Sequence, residues 1–165
     1  MGWVLERATG QRYADLVGDV FWRRIGAAQG AYITVDRLGA PRCAGGICMT
    51  TPDLARVGQM VLEGGQGVIP AAWLEDIARN GDPDAWAKGD FAAYFPETEM
   101  HYRAFWYVMR DKGPLLICVG IHGQSLLVDL TSGLVMAKHA SHPDPTNAED
   151  KLRTLKLFDA VRTLL

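Results

Sequence analysis

From His101 onward the chain alternates with a period of two, and that change of rhythm constrains the fold more than any other feature. "YRAFWYVM" (102–109), "LLICVGIHGQSLLVD" (115–129) and "GLVMAKHAS" (133–141) are rich in aliphatic and aromatic residues, and "RDKG" and "LTSG" between them carry turn chemistry. Such a pattern reads as consecutive antiparallel hairpins, a sheet of about three strands. The middle stretch is long for one strand, and glycine weakens a strand interior unless it marks a bulge or a close approach of backbone. Gly120 and Gly123 are therefore expected to bend or bulge it.

An antiparallel sheet needs a cover, and the flanking segments supply helices. Two helical pieces separated at Gly10 open the chain, and Tyr13, Leu16, Val17, Val20 and Phe21 fall on one helical stripe. Farther on, "TTPDLARVGQMVLEGG" offers Thr51 as N-cap, Pro52 in the first turn, Asp53 near the positive end of the dipole and Gly64 as a stop. "IPAAWLEDIARNG" is a second short helix. "DPDAWAKGDFAAYFPETEM" has no sustained period and reads as a surface loop carrying Trp86, Phe91, Tyr94 and Phe95, more in keeping with loop packing than with a substrate wall. The last helix has Thr146 and Glu149 spaced as a capping box, with Leu152, Leu155, Val161 and Leu164 available for burial. The fold class is α+β, residues 1–165 forming one domain that is mainly helix and loop over 1–100 and hairpins plus a C-terminal helix over 101–165.

Composition narrows the function. A formal net charge of −2, with Arg23-Arg24 the only adjacent basic pair, gives no electrostatic reason to expect nucleic acid. No apolar run reaches the length that spans a bilayer, so no membrane partner is expected. Three cysteines, Cys43, Cys48 and Cys118, do not form an even disulfide framework; buried free thiols in a reducing, cytoplasmic compartment fit best.

The chain carries little self-contained chemistry. Its three serines, Ser125, Ser132 and Ser141, have no Lys three residues on and no Gly-x-Ser-x-Gly elbow. Cys118 and His122 would lie about 13 Å apart along a regular strand, too far for a thiol dyad. His139 and His142, with His101 elsewhere, make a weak metal motif beside a closed ligand set, and neither metal nor cofactor is expected.

Three separated stretches together resemble one family. "LERATGQRYADLVGDVFWRRIGA", "AGGICMTTPDLARVGQMVLEGG" and "GIHGQSLLVDLTSGLVMAKHAS" are similar, in this order, to segments of serine hydrolases with the class C β-lactamase fold, most closely the 6-aminohexanoate-dimer hydrolase branch. The resemblance implies the C-terminal portion of an acyl-enzyme hydrolase acting on amide or ester bonds, in which a serine attacks, and a lysine three residues later and a tyrosine move its proton. Residues 1–165 hold no Ser-x-x-Lys, and Cys118, Val119 and Gly120 stand where much of the family has Lys-Thr-Gly. What the resemblance carries over is backbone: Ile121 as an N–H donor of the oxyanion hole, with Gly120, His122 and Gly123 around the substrate.

Two expectations follow. The isolated chain is catalytically silent, and it acts on a small amide or ester only when an N-terminal portion completes it. The family's sheet has five strands, two from its N-terminal part, which leaves an open edge at "GLVMAKHAS" where the chain would form a homodimer or exchange strands. A non-catalytic ligand-binding or interaction domain derived from the same fold is the alternative.

Overall fold

The computed structural model describes residues 2–95 and 98–165. They form two compact units, one up to Val57 and one from Gly58 to Leu165, and helix α3 (Thr51–Leu62) passes from the first into the second.

In the first unit, α1 (Gly2–Thr9) stops at Gly10, whose φ of 69° only glycine adopts without strain. Helix α2 (Tyr13–Val17) then widens into a π turn over Gly18–Trp22. The expected buried stripe does not form: Tyr13, Leu16, Val17 and Phe21 are half-buried and Val20 is exposed. A π turn takes more residues than an α turn, so side chains spaced for 3.6 residues leave a common face there. Strands β1 (Tyr32–Ile33) and β2 (Ile47–Cys48) make a short ribbon. Both Cys43 and Cys48 are exposed on this part of the chain, against the expectation of burial, because a two-stranded ribbon has little surface to cover them.

What organises this unit is a buried carboxylate. Asp53, with no exposed surface, accepts from the N–H groups of Ala28 (2.7 Å) and Gln29 (3.2 Å), the Thr50 hydroxyl (2.7 Å) and Arg56 (2.7 Å). Thr50 Oγ1 also accepts from the Asp53 N–H at 3.3 Å, so the N-cap of α3 is Thr50, one residue before the expected Thr51.

In the second unit, helices α4 (Ala71–Arg79) and α5 (Pro83–Ala87) precede a five-stranded antiparallel sheet in the order β3-β4-β5-β6-β7. The strands are β3 (Met100–Arg103), β4 (Trp106–Met109), β5 (Leu115–Val119), β6 (Ser125–Asp129) and β7 (Leu134–Lys138). The α+β, antiparallel reading holds, with five strands where about three were expected. Two stretches read as single strands each fold back. "YRAFWYVM" turns at Ala104 (φ 48°) and Phe105 (φ 70°), a two-residue turn with both φ values positive but none of the usual Asn-Gly chemistry. "LLICVGIHGQSLLVD" turns at residues 120–124, with Val119 opposite Ser125.

Both faces of the sheet are covered. On one, Leu115, Ile117 and Leu127 close around Phe158 of α6 (Ala148–Arg162), with Tyr107, Met136 and Leu155 packed at the margin. On the other, the part of α3 that belongs to this unit, from Gly58, lies so close that a Cβ at Gly58 would meet Leu126 Cδ1 at 3.0 Å and Val128 Cγ2 at 3.3 Å. His101 Nε2 bonds the Ile77 carbonyl of α4 at 2.8 Å on that side. Burial from both sides explains why β5 and β6 read as nearly continuous apolar runs.

Helix α6 is capped by Asn147, whose side chain accepts from the Asp150 N–H at 3.0 Å, rather than by Thr146. Thr154 and Phe158 are its buried residues, Leu155 is half-buried, and Leu152, Val161 and Leu164 are exposed, against the expected stripe. A shift of a single residue turns a helix face by about 100°, and Phe158 outcompetes the smaller leucines for the core. In the segment before β3, Phe95 is buried and α5 forms where a loop was expected; Asp82 caps it by accepting from Ala85 N–H at 3.0 Å. The part of that loop at Pro96 and Glu97 lies outside the described residues.

Candidate functional site

Strand β5 ends at Val119, and the chain turns through a 3-10 segment, Ile121–Gly123, before β6. Gly120 N–H donates to Gln124 O at 2.9 Å and closes the turn. Ile121 takes no part in that bonding: the residue is 58% exposed, and its N–H donates to no described residue. An unpaired main-chain donor at the exposed end of a rigid strand is a ready partner for an acceptor from outside.

The turn is held from behind. His122 has φ 60° and ψ 25°, a left-handed conformation that a residue with a Cβ rarely adopts. Three bonds to the 139–147 loop hold it there: His122 N–H to Pro145 O (3.1 Å), His142 N–H to His122 O (3.1 Å), and His122 Nδ1 to His142 O (2.8 Å). A carbonyl only accepts, so Nδ1 carries the proton in that contact. Gly123, at φ 88°, has His142 directly where a Cβ would sit and Asp150 Oδ2 3.0 Å from that point. The imidazole of His122 and the open side of Gly123 thus face the supporting loop.

Behind the loop lies a cluster of charge. Asp150 takes two bonds from Lys138 Nζ (2.7 and 2.8 Å), and His142 Nε2 lies 3.1 Å from its Oδ1. The Lys138 bond is the chief cause that holds the Asp150 carboxyl below its ordinary range. Sequence reasoning missed this cluster because its members come from β7, the loop and α6; only the Asp at the start of a helix was a visible signal.

The other reactive side chains do not assemble. Burial pushes the Cys118 thiol up to about 12, so it stays protonated, and His122 is committed to His142 O. Ser125 is buried opposite Lys138 in the β6–β7 register, but Lys138 directs its bonds to Asp150 and to Thr154 Oγ1 (3.0 Å). Ser132 Oγ donates to Asp129 Oδ2 at 2.6 Å.

A separate cleft of about 420 Å³ opens beside β3 and β4, walled by Trp86, Phe91, Tyr102 and Tyr107 with Asp82, Ala85, Gly89 and Asp90. Trp86 and Phe91 were read as loop packing. The structure sets them as walls together with two tyrosines from the sheet, while Phe95 packs beneath, 6.0 Å from the Tyr107 ring.

The chain is 35% identical over 169 residues, 99% of its own length, to 6-aminohexanoate-dimer hydrolase of Paenarthrobacter ureafaciens. It spans 43% of that relative, a share that fits the C-terminal portion. A Bacillus anthracis protein, provisionally assigned as a 6-aminohexanoate-dimer hydrolase, has the same fold over 99% of this chain and 41% of its own, with a TM-score of 0.81 and 24% identity. No protein-family model matches the chain.

Proposed function

We propose, from this chain's homology to 6-aminohexanoate-dimer hydrolase, that it is the C-terminal part of a serine hydrolase cleaving amide or ester bonds through an acyl-enzyme. Its own contribution to that chemistry is one half of the oxyanion hole, the Ile121 N–H. The observation that carries this reading is that donor, unpaired among the described residues and carried by an exposed residue at the end of β5, in a turn where the Gly120 and His122 N–H groups are bonded away. As a tetrahedral intermediate forms, negative charge grows on the carbonyl oxygen, and a fixed N–H there needs no reorganisation to meet it. Gly120, His122 and Gly123 shape the turn around the donor. The serine, lysine and tyrosine come from the N-terminal portion, and the 165-residue chain alone forms no acyl-enzyme.

The test is reconstitution. The chain is mixed with an N-terminal portion of the Paenarthrobacter relative carrying its nucleophile, and hydrolysis of the 6-aminohexanoate dimer and of an activated ester is followed. Ile121→Pro removes the N–H at a position that opens a 3-10 turn, where proline is tolerated; Ile121→Ala keeps it. The proline variant is expected to lose about 10²–10³-fold in kcat, and the alanine variant little. Equal activity of the two, or an acyl adduct on the isolated chain by mass spectrometry, would overturn the reading.

A further inference from the structure

We infer that the aromatic cleft beside β3 and β4 is a binding site for a quaternary ammonium group, a function separate from the acyl chemistry at Ile121. Its walls are four aromatic rings on three elements: Trp86 from α5, Phe91 from the segment after it, and Tyr102 and Tyr107 facing each other across the β3–β4 hairpin. Tyr107 is the corner. Its ring centroid lies 5.7 Å from Trp86 at an interplanar angle of 84°, 6.3 Å from Phe91 at 62°, and 4.8 Å from Tyr102 at 57°. Rings packed in parallel fill the space between them; rings meeting at these angles leave a concave corner, here about 420 Å³.

The charge around the corner has one sign. Asp82 and Asp90 line it, and among the described residues no lysine or arginine does. Asp90 has no ion-pair partner among the described residues. Lys151, 4.8 Å over the Tyr94 ring, and Arg103, paired with Asp76 at 2.6 Å, are both outside the lining. Aromatic faces carry negative electrostatic potential, so rings and carboxylates together favour a cation and repel a carboxylate ligand. Only Asp82, which already accepts from Ala85 N–H, and the exposed Asp90 offer carboxylate acceptors at the rim, while the ring faces that form the walls offer none, so a strongly hydrated –NH₃⁺ seated among the rings would lose more water contacts than it regains. A trimethylated ammonium, with little hydration to lose and methyl groups that fill apolar corners, is the cation that fits.

Binding is measured by calorimetry and ligand-observed NMR on the whole 165-residue chain. Choline is the probe, with 3,3-dimethyl-1-butanol as its neutral isostere and ethanolamine as the unmethylated amine. Choline should bind about fivefold or more tightly than either comparator, and Phe91→Ala or Asp90→Asn should each weaken it at least about threefold, the scale of a single cation–π or charge contact. Trp73→Ala, on α4 and outside the cleft, should leave it unchanged. Equal binding of the neutral isostere, preference for ethanolamine, indifference to both cleft variants, or no binding of choline at about 10 mM, a concentration that detects even contacts of a few kcal/mol, overturns the inference. Asp90 is exposed, so its variant keeps the test decisive if Phe91→Ala does not fold. The readout is binding alone, and its failure leaves the reconstitution at Ile121 untouched.

Discussion

Nε of Arg162, in the last turn of α6, lies 2.7 Å from Oδ2 of Asp129, a carboxylate with no exposed surface at the end of β6. Asp129 also accepts from Thr131 N–H (2.8 Å) and the Ser132 hydroxyl (2.6 Å), and Arg162 Nη2 donates to Lys112 O (2.8 Å). One guanidinium thus ties the β4–β5 and β6–β7 turns to the helix that covers the sheet. Removing it strands a buried charge. Arg162→Ala is expected to cost about 3–5 kcal/mol, read as a lower denaturant midpoint, with part of the loss recovered in the Arg162→Ala, Asp129→Asn double variant. A loss below about 1 kcal/mol, the range of an exposed pair, would show that water replaces the guanidinium.

The buried Asp53 predicts an acid transition. Its carboxyl is held down to about 2, first by the Ala28 N–H and then by the Thr50 hydroxyl, with Arg56 and Gln29 adding to them. In the unfolded chain it returns to about 3.9. The folded pKa being the lower one, the carboxylate's contribution is fully present above about pH 4 and is lost as pH falls toward about 2. Asp53→Asn should therefore be less stable than the parent at pH 7, and the gap should narrow between about pH 4 and pH 2. A gap constant across that range in thermal melts by circular dichroism would refute the carboxylate's role.

Gly123 is predicted to be intolerant of any side chain. Alanine there meets the His142 ring and takes a φ of 88° that disfavours a Cβ. Gly123→Ala should destabilise by more than about 1 kcal/mol and displace the 139–147 loop. In NMR spectra the His122 Nδ1–H resonance should lose its bonded shift. Gly133, also at positive φ (74°) but with open space around it, serves as the control for backbone strain alone.

Strand β7 is an edge of the sheet, with β6 on one side and no strand beyond it among the described residues. We propose that this edge pairs with a second copy of the chain when no N-terminal portion is present, since unpaired main-chain groups recruit another strand. Light scattering should show a concentration-dependent dimer near 100 µM, about where weak strand pairing becomes populated, and outward β7 amides should gain protection from exchange as it forms. A monomer at every concentration, with those amides exchanging freely, sinks the idea.

Much of the molecule was legible in the order of residues. Alternation from His101 onward announced an antiparallel sheet, Thr-Pro-Asp announced a helix start, and three stretches in sequence announced the family resemblance. The errors share a cause. Thr50 and Asn147 took the caps expected of Thr51 and Thr146, one residue away in each case, because neighbouring hydroxyl and amide side chains have similar local merit. Which one caps depends on where the helix axis is held by packing. Phe158 in place of the leucines follows the same logic, and so does the turn at Ala104-Phe105, which has no turn residues and is set by pairing Tyr102 with Tyr107.

The candidate site divides along that line. Sequence alone determined that glycines interrupt the apolar run after Val119 and that Ile121 lies between them, since those are properties of consecutive residues; that the chain folds back there instead of bending within one strand was decided by the pairing of β5 with β6. Only the tertiary structure decided that His122 and Gly123 lean on His142 and Asp150, that Cys118 is a neutral buried thiol, and that four rings and two carboxylates form one cleft. Local preferences act over a few residues, whereas these contacts join groups tens of residues apart, and packing alone brings them together.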